Sequence, residues 1–418
     1  MNVKIIMGLA VVALLAIVSL ALFSGSAVAE DYTTPAGDEI WQTHMFVKNI
    51  MIWFMLMLVA FLMIFIKKYE WGVALAVLVS AAGSFVVYLA LAPFVFDLTA
   101  GGTLPYDSVW NQELMLMGVI CAITVVIAIG CFLGKLKMWQ YFLVGLLFAP
   151  VFLLVEWFFV DGITRIFSSV EGVADPGGSM LVHMAAAYFG LGVAIALREK
   201  RAFNEPMYTT THSVSFVWLA AMLLWVLWPA FVTALLPMEQ VFWGMMVCYM
   251  GGIGSVISAW LVCTALQKKV NPLIYTYAML AGPVAIGTPL IFIGPWAAIV
   301  VGIIAGAISA LSFIYLHPWL CKKLGALDVM GVHNLHGVAG WFGAIVGVIM
   351  IIVLGTAAND RVGFVVDPFA NLVAAVFVFV VTLVLGIVIG FILKLTRGEF
   401  PDEHMFSDDA DFIKNEEP

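Results

Sequence analysis

Two stretches of this 418-residue chain place histidines where apolar helices are expected: DPGGSMLVHMAAAYFG, from Asp175 to Gly190, and DVMGVHNLHGVAGWFG, from Asp328 to Gly343. Each carries an Asp, a His eight residues later and a Phe-Gly pair beginning six residues after that His. The matched members are Asp175, His183, Phe189 and Gly190 against Asp328, His336, Phe342 and Gly343. An ionisable ring inside a membrane helix marks a pathway, a relay or a ligand site. Two imidazoles in register can share a proton, donate to a small polar solute and accept from it. His333 lies three residues before His336 and competes with it on spacing alone; the repeat frame selects His336.

The elements that must position these rings follow from composition. The chain is 64% hydrophobic and only 11% charged. Those proportions describe an all-α integral membrane protein. Its net charge of -8 comes with no basic patch, so no nucleic-acid partner is expected. The five cysteines show no CxxC spacing, which argues against a zinc site or a disulfide framework; no metal or other cofactor is expected.

Residues 1–29 read as a signal peptide cut after Ala29, although the apolar run from Ile5 to Phe23 is long enough to serve as an extra helix if uncut. Beyond Trp41 there are eleven apolar segments of spanning length, near 45–66, 71–92, 113–134, 139–159, 178–197, 214–236, 240–266, 273–293, 295–316, 329–355 and 367–393. Alternate connections carry the basic residues: Lys67 and Lys68, Lys135 and Lys137, Arg198 to Arg201, Lys268 and Lys269, Lys322 and Lys323, Lys394 and Arg397. The other set holds only Lys48, Arg165 and Arg361. Positive charge collects on the cytoplasmic side, which puts the mature N-terminus outside the cell membrane and the C-terminus inside. The acidic residues 398–418 then form a cytoplasmic tail, expected to be solvated, with docking of a cytoplasmic regulator as the minority reading.

In this topology the fifth segment runs inward and the tenth outward. The two histidine stretches therefore belong to inverted five-helix repeats, with an eleventh helix left over. Eight helical residues rise about 12 Å, within a hydrocarbon core about 30 Å thick. His183 and His336 thus approach the midplane from opposite faces and are expected to meet. Asp175, followed by Pro176, and Asp328 are expected to cap helix starts.

The segments GGSMLVHMAAAYFGLGV, LWVLWPAF, AMLAGPVAIGT and GVHNLHGVAG, together with WQTHMFVKNIMIWFMLMLVAFLMIFIKKY, resemble the ammonium transporter (Amt/Rh) family, in particular its Rhesus-type branch, over residues 41–397. The resemblance implies an eleven-helix bundle, a homotrimer with one pore per subunit, and His183 and His336 as paired pore histidines. It also implies an outer gate at Phe231 and a vestibule carboxylate at Glu156, with Asp175 as a structural aspartate. Ile120 stands where the family has a second gate phenylalanine, and Tyr277 where asparagine is usual. The expected function is ammonium or ammonia transport, with cation recruitment outside, deprotonation, and passage of ammonia through an apolar pore. A channel for another small neutral solute such as carbon dioxide, and an ammonium sensor, are the alternatives. Haem ligation by the two histidines is disfavoured because Ala185, Ala186, Gly337 and Gly340 favour close helix packing. No enzymatic step is expected.

Overall fold

The computed structural model describes residues 36–66, 69–96, 112–199, 210–268 and 271–408, and these are all helix, turn and loop. The signal-peptide segment 1–29, Lys67, Lys68, Lys200, Arg201, Lys269 and the last ten residues lie outside the described residues. Among the described residues, ten helices are long and apolar enough to cross a membrane: α1 (Ala36–Met63), α2 (Glu70–Val95), α3 (Gln112–Ile129), α4 (Met138–Ile166), α5 (Ser179–Leu197), α6 (Thr211–Val232), α7 (Met238–Gln267), α9 (Pro295–Leu324), α10 (His333–Leu354) and α11 (Pro368–Arg397). Even α3, the shortest at 18 residues, rises about 27 Å, close to the hydrocarbon thickness. Helix starts are set by local chemistry. Thr210 and Ser213 form a reciprocal capping box at α6. At α11, Asp367 Oδ1 accepts from the N–H groups of Phe369 and Ala370 ahead of Pro368.

The eighth segment differs from the sequence expectation. A continuous span over 273–293 is predicted, but helix α8 covers only Pro272–Ala278. A single turn follows at Ala281–Ala285, and the chain then runs in turns to Ile293. Gly282, Pro283, Gly287 and Pro289 break the helical hydrogen bonding there. Irregular backbone at membrane depth survives only where protein surrounds it, and residues 276–293 are buried throughout. Arg361 caps the end of this segment, its Nη1 donating to Ile291 O at 2.9 Å.

The described helices form two inverted five-helix repeats plus α11. In the first unit α2 packs on α4, and in the second α7 packs on α9. Both crossings are tight enough to need glycine. A Cβ at Gly145 would overlap the Ser80 carbonyl, and one at Gly302 the Gly251 carbonyl. The repeats also exchange ends. The loop before α5 donates Gly177 N–H to Gly287 O of the broken eighth segment at 2.9 Å. The loop before α10 donates Val329 and Met330 N–H to Cys131 O and Gly130 O at the end of α3, each at 3.1 Å. Each histidine stretch is thereby anchored on the third element of the opposite unit.

The residues after α11 dock rather than extend into solvent. Met405 and Phe406 are buried, and Phe406 N–H donates to Gly134 O at 3.1 Å. The Asp408 carboxylate accepts from Gly72 N–H at 2.7 Å and from Trp71 N–H at 3.1 Å, at the start of α2. Lys135, one of the basic residues of the alternate connections, is buried and donates to Leu327 O. Arg397 pairs with Glu199 and donates to Lys135 O. The expectation of a solvated tail is therefore corrected at Met405, Phe406 and Asp408, while Pro401 and Glu403 remain exposed.

Candidate functional site

The first turn of α5, Ser179–Met184, and the first turn of α10, His333–Gly337, are both π-helical. His183 N–H bonds to Gly178 O, five residues back, which sets the wider turn. Gly178 precedes it at φ +76°, a left-handed conformation that a side chain would strain. Ahead of this turn, Asp175 Oδ2 accepts from Met180 and Leu181 N–H at 2.9 and 2.8 Å. Its Oδ1 accepts from the Thr288 hydroxyl at 2.6 Å. Asp328 accepts from Val332 and His333 N–H at 3.0 and 2.9 Å. Both helices thus start well inside the aspartate. The reach of each ring comes from a folded loop plus a π turn rather than from eight helical residues.

The two turns bring His183 and His336 together, with Nδ1 to Nδ1 3.1 Å apart and ring centroids 5.1 Å apart. Both rings are buried, 2% and 8% exposed, so the contact is shielded from bulk water. A hydrogen bond between two Nδ1 atoms requires one ring to carry a proton there and the other to be bare. In the neutral pair, one Nε2 is then an acceptor and the other a donor. His183 Nε2 is buried without a protein partner. His333 stands apart: its ring meets Tyr188 edge-on at 5.6 Å. The structure pairs His183 with His336 and not with His333. Its neighbour Asn334 ties the π turn of α10 to α9 through the Ser312 hydroxyl at 2.7 Å and His317 at 2.8 Å.

Both histidines line an apolar cavity whose wall includes Met55 and Val59 of α1, Ile123 and Ile127 of α3, and Trp228 and Phe231 of α6. Trp228 and Phe231 lie 5.7 and 6.0 Å from the His183 ring, centroid to centroid. Tyr277 also lines the cavity and donates its hydroxyl to Leu62 O at 3.1 Å. Ile120 is buried on α3 but off the cavity wall, one turn from Ile123. Glu156 is off the wall too. It sits on α4 with its carboxylate oxygens 3.1 and 3.0 Å from the Tyr88 hydroxyl of α2, which donates to it.

Sequence reasoning passed over two residues. Trp228 is one helical turn before Phe231, and the shared i, i+3 face was its available signal. Lys48, counted with the loops, instead lies buried inside α1, its Nζ donating to Thr233 Oγ1 at 2.7 Å.

Three comparisons bear on this arrangement. The Ammonium Transporter Family model matches residues 11–412. A rabbit (Oryctolagus cuniculus) protein named "Ammonium transporter Rh type C" is 30% identical over 389 residues, covering 85% of this chain and 77% of its own length. "Ammonium transporter Rh type B" of Danio rerio is 29% identical over 325 residues, covering 70% of this chain and 67% of its own. Among solved structures, Nitrosomonas europaea Rh50 superposes with a TM-score of 0.80 at 30% identity, covering 91% of this chain and 94% of that one. A structure titled "Sensor Amt Protein" shares the fold, with a TM-score of 0.72 at 17% identity over 89% of this chain and 98% of that one. With ten apolar spans among the described residues, two repeats joined at buried histidines and a family match over nearly its whole length, this multi-pass membrane chain belongs to the ammonium transporter family and is Rh-like.

Proposed function

We propose that this protein conducts ammonia: ammonium gathers at the Phe231 mouth, sheds its proton there, and crosses as the neutral molecule past His183 and His336. The observation that carries the reading is the buried Nδ1–Nδ1 pair on the wall of an apolar cavity. Burying an unpaired cation in such a lining costs several kcal/mol or more, whereas neutral ammonia pays little. One bare and one protonated Nε2 give ammonia both an acceptor and a donor at the narrow section. Before deprotonation, the ring of Phe231 offers the cation a π face. Glu156, bonded to Tyr88 away from the cavity, serves as a remote carboxylate rather than a contact for the permeating species. The names of the Rh-type relatives support ammonium as the substrate class.

The test is flux through the full-length protein in liposomes, with internal pH and membrane current recorded together under an ammonium gradient. Internal alkalinisation that tracks the external ammonia concentration, with little current, is expected. Vesicles that behave like empty ones in both channels would sink the reading, and a current matching the full flux would mean that ammonium itself crosses.

The same proposal places the Phe231 mouth outside, the C-terminus in the cytoplasm, and the working unit as a homotrimer in the cell membrane. The docked segment 401–408 is where a cytoplasmic regulator would act. A reporter enzyme fused after Pro418 is expected to be active only in the cytoplasm; activity only outside would overturn the orientation.

A further inference from the structure

Tyr277 lines the histidine cavity, yet the conduction pathway described so far gives it no task. Its place along the pathway follows from α1 and α6, which run antiparallel. At one end of their contact, Lys48 Nζ of α1 meets Thr233 Oγ1 of α6. At the other, the rings of Phe61 and Phe216 lie 6.3 Å apart. Phe231 therefore belongs to the end where α1 begins, and Leu62 to the opposite one. Met55 and Leu62 both line the cavity and stand about 10.5 Å apart along α1. Tyr277 donates its hydroxyl to Leu62 O at 3.1 Å. The cavity thus has an aromatic ring at each end, Phe231 beside His183 and Tyr277 beside Leu62. In the orientation proposed above, the Tyr277 end is the cytoplasmic one.

The Tyr277 ring is held on several sides. Phe313 of α9 stacks on it, with centroids 5.9 Å apart and planes 23° from parallel. Phe65, just past α1, stands 6.4 Å away. Phe313 is itself backed by Gly331 of the loop before α10, where a Cβ would overlap the Phe313 ring. The hydroxyl pins the far edge of the Tyr277 ring to α1. Close-packed neighbours of this kind do not yield to a passing molecule. The cavity has a volume of about 50 Å³, room for only a few molecules the size of water. A rigid plate at the end of so small a space makes one added methyl group matter.

We propose that Tyr277 is a specificity-determining residue of the pathway: its fixed ring sets the width of the exit, passing ammonia and holding back methylamine. The proposal rests on the ammonia-conducting reading above. Both bases cross as neutral molecules, so the discrimination is by size and not by charge. One methyl group against an apolar wall is worth about tenfold or more in selectivity.

A purely structural Tyr277 would only cap α1, because the Leu62 carbonyl belongs to the last helical turn and gets no partner within the helix. Selectivity separates the two roles. Full-length wild type, Tyr277→Phe and Tyr277→Ala are reconstituted in liposomes, and initial rates of internal alkalinisation are compared under ammonium and methylammonium gradients, less the rates of empty vesicles. Wild type is expected to favour ammonia by about tenfold or more. Tyr277→Ala removes the plate, and its ratio of methylamine to ammonia rate is expected to rise about tenfold. Tyr277→Phe loses the Leu62 bond but keeps the ring between Phe65 and Phe313; its ratio is expected to stay within about twofold of wild type, whatever happens to its melting temperature. A merely structural role would lower both rates together and leave the ratio unmoved. If Tyr277→Ala folds and keeps the wild-type ratio, or if Tyr277→Phe admits methylamine as freely as Tyr277→Ala, the ring is not the sieve and the proposal is overturned. Should Tyr277→Ala not fold, Tyr277→Leu carries the same test with the same expected rise; if neither folds, the task of the ring is structural and the proposal is equally overturned. A wild type with no ammonia flux at all would instead defeat the function reading, a result visible before any variant is compared.

Discussion

His183→Ala and His336→Ala are each expected to cut ammonia flux by about tenfold or more, or to let current accompany it, while leaving the protein folded in the membrane. The two rings meet Nδ1 to Nδ1 at 3.1 Å in a buried site. Removing either one strands the Nδ1 of the other without its partner, at a cost of about 1–3 kcal/mol for a buried polar group. The remaining ring would then recruit water or reorient, and the pathway loses one of its two Nε2 contacts. Because the rings act as one hydrogen-bonded unit, the double variant should be little worse than the worse single. The coupling in a double-mutant cycle should be about 1–3 kcal/mol. Additive losses in the flux assay would mean that the rings work independently. If His333→Ala abolished flux while His336→Ala did not, the pair chosen by the repeat would be the wrong one.

Asp175→Ala is expected to act on stability instead of selectivity. Its carboxylate holds three donors: Met180 N–H, Leu181 N–H and the Thr288 hydroxyl. The first two are orphan groups at the start of α5, and the third belongs to the broken segment after α8. Losing an N-cap costs about 0.5–2 kcal/mol, and each buried donor left unsatisfied adds about 1–3 kcal/mol. The alanine variant should therefore melt several degrees lower in detergent and give a severalfold lower folded yield. Asp175→Asn, which still caps, should recover part of the loss. Any Asp175→Ala protein that folds should keep the wild-type ratio of current to pH flux. Wild-type melting combined with altered selectivity would make Asp175 a contact for the permeating species.

Most of the helix architecture was legible because a membrane span announces itself by length and apolar content alone. The same measure misled at 273–293. AMLAGPVAIGTPL is apolar enough to read as a span, yet hydropathy is blind to the glycines and prolines that break its backbone. The histidine pair was legible from repeat spacing, but its stated reason was incomplete. Helical rise alone was assigned to residues 175–183 and 328–336, whereas both stretches begin as loops and then enter π turns. Two charged residues were harder. Glu156 has no sequence signal for its partner, since Tyr88 lies on another helix. Lys48 was read as a loop cation because one lysine near a helix end looks the same whether it faces lipid headgroups or a buried hydroxyl on a neighbouring helix. Only the stripe it shares with Met55 and Val59 could have marked it. The docked tail escaped for a related reason. Its anchors are one phenylalanine and one aspartate, too few to stand out within an acidic run.

The docked tail also fixes an order of events. Asp408, the residue that satisfies the first N–H groups of α2, is made 337 residues after Trp71. At about 5–20 residues per second of synthesis, the opening turn of α2 waits on the order of tens of seconds for that carboxylate. Insertion of the helices therefore precedes completion of the first unit, and the closing stitch is sewn by the last part of the described chain to emerge. A nascent protein halted before residue 408 would hold its spans in place with that seam still open.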